Sequence, residues 1–147
     1  MAKIQAVRKC KFDAGHRVVN HESKCRTLHG HEYWAHIYAE AEESHNKLDS
    51  LGRVIDFSDI KDRIGGWLDD KWDHNMIIWK EDPNLPLIQQ CDGLKETYVT
   101  DFNPTAENLA RYLLEEICPT LMNGTNIKIV KIRLYETTNC YVDVSLD

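Results

Sequence analysis

Two stretches of the chain alternate between apolar and polar side chains, and this period of two predicts strands. In residues 4–16, Ile4, Ala6, Cys10, Phe12, Ala14 and His16 share one face, and Gln5, Lys9, Lys11 and Asp13 the other; Arg8 interrupts the apolar phase. In residues 29–42, His29, His31, Tyr33, Ala35, Ile37, Ala39 and Ala41 share one face, and Glu32, His36, Glu40 and Glu42 the wetter one. The polar residues 17–28 between them predict an antiparallel pair that brings His16 near His29 and His31. Residues 43–57 read as a connector with a turn at Gly52, and Ser58 is the expected N-cap of a helix carrying Ile60, Ile64, Trp67 and Leu68. Gly65-Gly66 weakens that helix, which ends near Asp73-His74-Asn75. Pro83, Pro86 and Gly93 make 80–103 a long loop, with a short strand at Thr97–Thr100. Thr105 caps the clearest helix, whose stripe is Ala106, Leu109, Ala110, Leu113, Leu114 and Ile117; Pro119 is expected to stop it. Two strands follow. In 127–136, Val130, Ile132 and Leu134 share a phase with Glu136; in 140–146, Cys140, Val142, Val144 and Leu146 alternate with Tyr141, Asp143 and Ser145. The order β-β-α-α-β-β predicts an α+β fold, an antiparallel sheet with helices on one face. Its other face and its edges stay open, which favours oligomerisation through the sheet.

At 147 residues the chain is one domain with a single core. A formal net charge of −6 excludes a general basic surface, so no nucleic acid partner is expected. No apolar run approaches membrane-spanning length, and the N-terminus runs straight into a strand pattern without a signal peptide. The five cysteines, at 10, 25, 91, 118 and 140, are odd in number and include no Cys-x-x-Cys, which points to reduced thiols in a cytoplasmic protein.

The chemistry gathers at Cys25-Arg26-Thr27-Leu28-His29-Gly30-His31. His29 and His31, two apart on a strand, face the same way, and His16 ends the adjoining strand on the same inner face. Three neutral nitrogen ligands with an open fourth position suit a catalytic zinc ion; the plain alternative is three histidines that only hydrogen-bond. Cys25 has two functional readings: the fourth ligand of a closed structural site, or a thiolate beside the metal favoured by Lys24 and Arg26. An inert buried thiol fits Cys10 and Cys140 better than Cys25, which lies in a polar loop. Asp73-His74 is either an acid–base couple or surface polarity. Glu136, an acid in the inward phase of a strand, needs a partner if buried, such as two parallel N–H donors on a ligand; otherwise the strand ends there and Glu136 faces water. Glu107 is a favourable charge in the first turn of a helix.

Taken together, Phe12-Asp13-Ala14-Gly15-His16, Cys25-x-x-x-His29-Gly30-His31, Val54-Ile55-Asp56-Phe57, Asp73-His74, Pro104-Thr105-Ala106-Glu107-Asn108 and Glu136-Thr137 resemble the 6-pyruvoyl-tetrahydropterin synthase / 6-carboxytetrahydropterin synthase family. The motifs occur in the family's order and span most of the chain. The three-residue gap between Cys25 and His29 is similar to that of the bacterial 6-carboxytetrahydropterin synthases of the queuosine (7-deazaguanine) pathway. The 80–103 loop is longer than in compact bacterial members. The resemblance implies the tunnelling fold, with three subunits closing a twelve-strand barrel and two trimers stacked as a homohexamer. It implies Zn(2+) on His16, His29 and His31, a base thiolate at Cys25, and Asp73 and His74 as a second proton-handling group from a neighbouring subunit. Glu136 would anchor the pterin ring, and Thr105 would contact substrate. The implied reaction converts 7,8-dihydroneopterin triphosphate to 6-carboxy-5,6,7,8-tetrahydropterin with loss of triphosphate and acetaldehyde. Two rivals stay open: the 6-pyruvoyl-tetrahydropterin synthase reaction without C–C cleavage, and a non-catalytic zinc-stabilised scaffold.

Overall fold

The computed structural model of the protein describes residues 2–42 and 47–147. Part of the expected 43–57 connector, His45 included, lies outside the described residues. The two alternating stretches form β1 (Ala6–His16) and β2 (His29–Ala41), antiparallel, with Phe12 opposite Tyr33 and His16 opposite His29. A one-residue slip would turn every side chain over, so this register fixes all three histidines on one face. β5 (Ile127–Thr137) pairs with β2, and β6 (Cys140–Ser145) with β5, both antiparallel.

The four long strands and two helical segments of the expected order are present, and the segment between the helices adds to them. β3 (Asn75–Trp79) lies parallel beside β1, and β4 (Tyr98–Thr100) parallel beside β3. The result is a mixed six-stranded sheet of order β4-β3-β1-β2-β5-β6. Ile77 and Ile78 are both fully buried, so β3 has no polar–apolar alternation to betray it. The expected loop 80–103 also holds α2 (Leu85–Gln89), with Pro86 in its first turn, where the missing N–H is tolerated.

The first long helical segment, α1 (57–71), runs continuously through a π-type stretch at Lys61–Gly65. Asp56, not Ser58, caps it: the Asp56 carboxylate accepts the Ser58 N–H at 3.0 Å. The glycine pair does not break the helix: Gly65 packs over Cys10, and Gly66 has open space where a Cβ would stand. The third segment, α3 (106–121), is capped by Thr105 as expected, but it does not stop at Pro119. A π-type stretch at Leu113–Ile117 rearranges the hydrogen bonding, so Pro119 sits in the first turn of the final run, which continues to Leu121.

Both long helices cover one sheet face. Phe12 and Tyr33 stack at 4.8 Å and 8°, Trp72 tilts onto Phe12 at 5.5 Å, and Ile60, Ile64, Leu68, Leu109 and Leu113 close the core, all fully buried. In β5 a bulge opposite Tyr38/Ala39 moves the buried position from Val130 to Ile129, while Ile132 and Leu134 face inward as expected. Cys10 is buried, but Cys140 is exposed beside the hairpin turn, so the inert core role assigned to it does not hold. Glu40, expected on the wetter face, is buried instead and accepts from Gln5 Nε2 at 2.6 Å, with Lys3 Nζ at 3.2 Å. No helix among the described residues is long and apolar enough to cross a membrane.

Candidate metal centre

His16, His29 and His31 close a cluster at one end of β1 and β2, with donor atoms within 4.8 Å of one another. His16 Nε2 stands 3.2 Å from His29 Nε2, which stands 3.1 Å from His31 Nε2. Ligands about 2.0–2.1 Å from a tetrahedral ion are about 3.3–3.4 Å apart, close to this spacing. The opposite ring nitrogens are already committed: His16 Nδ1 donates to Pro104 O at 2.7 Å, and His29 Nδ1 to Thr27 O at 2.5 Å. A ring whose Nδ1 carries the proton presents a bare lone pair at Nε2 when neutral. Burial pushes His16 down to about 4, outweighing the bond to Pro104, so it is neutral at pH 7; burial and the neighbouring His29 also hold His31 low. Lone pairs facing one another across 3.1–3.2 Å repel unless a cation lies between them. The donor set therefore fits a divalent metal, with backbone carbonyls orienting two of the ligands.

The other expected residues fall at different distances from this centre. Glu136 lies beside it, with carboxylate oxygens 3.9 Å from His16 Nε2 and 3.6 Å from His31 Nε2. Burial raises its pKa; the His29 charge opposes that, and Glu107 adds to it. Cys25 is half-buried in a 3-10 turn, Lys24–Arg26, and its carbonyl accepts the Val18 N–H at 2.9 Å. Its sulfur does not join the mutually close donor set of the three histidines. Thr105 Oγ1 accepts the Asn108 N–H at 3.1 Å as the helix cap, which leaves its own proton to donate.

Asp73 and His74 form a separate group with Asp13. Asp73 accepts the Asp13 N–H at 2.8 Å and holds His74 Nδ1 at 2.8 Å, while the His74 N–H donates to Asp13 O at 2.6 Å with φ at 55°. The register that sets Ala14 beside Asn75 puts His74 next to Asp13, three strand residues from His16, or about 10 Å. His74 is largely exposed, and the couple stands outside the mutually close donor set of the three histidines. A cleft of about 1440 Å³ nevertheless runs from His29 and His31 to His74, and Arg26, Met76, Leu87 and Leu94 line it. Gly15 forms part of its floor; a Cβ there would collide with Met76 Sδ.

The family described as 6-pyruvoyl tetrahydropterin synthase matches residues 5–146 of the chain. The chain belongs to that family. A Rickettsia felis protein named 6-carboxy-5,6,7,8-tetrahydropterin synthase is 44% identical over 142 residues, covering 96% of this chain and 99% of the relative. A Haemophilus influenzae protein of the same name is 29% identical over 136 residues, covering 90% and 92%. Among solved structures, an uncharacterized protein from Wolinella succinogenes superposes with a TM-score of 0.82 at 22% identity over 100% of both chains. Caenorhabditis elegans 6-pyruvoyl tetrahydropterin synthase does so with a TM-score of 0.67 at 20% identity, covering 100% of this chain and 98% of the other. These two likenesses are of fold. Membership makes the chain an enzyme of the lyase class with a pterin synthase function.

Three further features complete the site, of which only the inward phase of Tyr33 is visible in the sequence pattern. Pro104 O, a backbone atom, orients His16. The Tyr33 ring packs 5.6 Å from His31 and 6.0 Å from His16, and its buried hydroxyl has no hydrogen-bond partner among the described residues. Burial, then the nearby Glu136 and Cys25, push that hydroxyl well above the ordinary tyrosine range. Arg17, next to His16, donates to the buried Asp82 at 2.7 Å and so ties the strand end to the segment that walls the cleft.

Proposed function

We propose that this chain is a zinc-dependent 6-carboxy-5,6,7,8-tetrahydropterin synthase that takes 7,8-dihydroneopterin triphosphate and water to 6-carboxytetrahydropterin, acetaldehyde and triphosphate. The observation that carries the reading is the set of three converging Nε2 atoms, two with their Nδ1 atoms pinned to carbonyls, beside the Glu136 carboxylate. The name borne by the relatives that match nearly the whole chain supports it. His16, His29 and His31 would hold zinc, which supplies Lewis acidity that polarises side-chain oxygens and acidifies the neighbouring C–H.

The chain's own residues do the rest. Glu136, partly buried, offers two acceptor oxygens in one plane, which suit a ring N–H and an adjacent amine of a pterin. That pairing fixes the ring so that its side chain lies over the histidines. Cys25 takes and returns protons along that side chain as a thiolate. Asp73 orients His74 through Nδ1, so the couple serves as a second proton-handling group. Because His74 is exposed and about 10 Å along the sheet from the cluster, it would serve the site of a neighbouring subunit across the cleft. A homohexamer built from two trimeric barrels supplies that neighbour, and a cytoplasmic setting suits the free thiols.

Incubation with 7,8-dihydroneopterin triphosphate, with identification of the pterin and any aldehyde, tests the reading. Acetaldehyde and 6-carboxytetrahydropterin in equal amounts support it. A pyruvoyl pterin without acetaldehyde would replace it with the 6-pyruvoyl tetrahydropterin synthase reaction, and no turnover by zinc-loaded protein would favour the scaffold.

A further inference from the structure

His16 is oriented by a carbonyl 88 residues away in the chain, so something must hold that carbonyl in place. The structure shows what does. Asn103, the residue before Pro104, makes two opposed hydrogen bonds to a single residue of the loop that follows β1. Its Oδ1 accepts the Val19 N–H at 3.0 Å, and its Nδ2 donates to Val19 O at 3.0 Å. A carboxamide is the one neutral side-chain group that copies a peptide unit in this way, with a donor and an acceptor side by side. Leu or Ala offers neither, and Asp offers only acceptors.

The turn behind it is braced as well. Asn103 O accepts the Thr105 N–H at 2.8 Å and Asn108 Nδ2 at 3.0 Å, which seats the turn on the start of α3. On the other side, Val18 N–H donates to Cys25 O at 2.9 Å, next to the residue that Asn103 grips. One residue therefore joins the acceptor of His16, the loop bearing Cys25 and the first turn of α3, the loop through its side chain and the helix through its carbonyl.

We propose that Asn103 is a positioning residue for the metal centre, locking the Pro104 carbonyl onto His16 and the Cys25 loop onto the same turn through its paired hydrogen bonds to Val19. Residues that orient a ligand's second nitrogen typically change metal affinity by about 10–100-fold when removed. The proposal rests on the reading of His16, His29 and His31 as a metal site, and the test separates the two.

The experiment compares the full-length wild type, Asn103→Ala and Tyr98→Phe, the last removing a 2.7 Å hydroxyl bond to Tyr112 that touches neither Val19 nor Pro104. Zinc affinity is read by chelator competition. The His16 tautomer is read in the metal-free protein from imidazole 15N shifts, and the reactivity of Cys25 from its alkylation rate. Asn103→Ala should weaken zinc binding about tenfold or more. It should also mix the His16 tautomers and change the alkylation rate of Cys25. Tyr98→Phe should lower the melting temperature and leave all three readouts alone. Wild-type affinity together with an unchanged Nδ1–H tautomer in Asn103→Ala would overturn the proposal. If that variant does not fold, Asn103→Asp, which keeps an acceptor for the Val19 N–H, takes its place in the same measurements, with the same results supporting or overturning the proposal. A wild type that binds no zinc defeats the metal reading instead, and the tautomer then judges Asn103 by itself.

Discussion

Replacing His29 by Ala should remove the metal without harming the metal-free fold. His29 is half-buried at the mouth of β2, so its truncation opens no core cavity, unlike that of His16, which is 1% exposed. Without metal, its Nε2 faces those of His16 and His31 at 3.2 and 3.1 Å, so its loss relieves repulsion. Zinc in a four-ligand site is held by about 10–16 kcal/mol, or about 2.5–4 kcal/mol per ligand, which converts to roughly 10²-fold or more in affinity. At free zinc 100 times the wild-type Kd, the ion stabilises the wild type by about 2.7 kcal/mol. For a chain of this length that is about 5–11 °C in melting temperature. For His29→Ala at the same zinc concentration, the gain falls to about 0.4 kcal/mol, or about 1–2 °C. The assay is thermal unfolding with and without zinc, with His36→Ala as the control because His36 lies on the opposite sheet face against Tyr135. A full zinc shift in His29→Ala, or an equal loss of it in His36→Ala, would refute the assignment.

Cys25→Ala should keep its zinc and its pterin binding while turnover falls roughly 10²-fold or more, the scale of a lost acid–base group; loss of zinc with turnover would make Cys25 a ligand instead. Glu136→Gln should weaken binding of a 2-amino-4-oxopteridine about 10–100-fold, the worth of a charge-assisted hydrogen bond of about 1.5–3 kcal/mol, and unchanged affinity by fluorescence titration would remove Glu136 from the ring pocket. Burial alone would raise the Asp73 pKa, but the Asp13 N–H, His74 and Lys95 together bring it below its ordinary value. A folded value below the unfolded one gives stability that is present above about pH 4 and lost as pH falls through the folded value. In urea unfolding between about pH 5 and 2, Asp73→Asn should therefore lose less stability than the wild type; parallel curves would contradict this. Light scattering of the native protein at micromolar concentration should give a hexameric mass, and an active monomer would rule out His74 as a group acting across subunits.

Much of this was legible in the chain because alternation records which face is buried. The inward histidines of β1 and β2 follow from phase alone, and the cap at Thr105 from a capping residue placed just before a helical stripe. Features set by long-range contact were not legible. In β3 the consecutive Ile77 and Ile78 are both buried, so Asn75-Met76-Ile77-Ile78-Trp79 shows no alternation. The bulge that exchanges Val130 for Ile129 depends on pairing with β2, not on β5 itself. Pro119 reads as a stop only if the helix before it is regular, and the π-type stretch at Leu113–Ile117 makes it irregular. In the site, the histidines and Glu136 were visible as side chains in a phase. The carbonyl of Pro104 and the grip of Asn103 on Val19 join residues 84 or more positions apart and leave no local pattern. The separation of Asp73-His74 from the cluster was not visible either, since it depends on β3 running parallel to β1.

The most direct test of the central claim is reconstitution of the metal-stripped protein with zinc while acetaldehyde release from 7,8-dihydroneopterin triphosphate is followed. The three-histidine centre predicts no release without metal, then a linear rise that levels off at about one zinc per chain, with 6-carboxytetrahydropterin formed in step. Release at the full rate by stripped protein, or a zinc-loaded protein that yields no acetaldehyde, would contradict it.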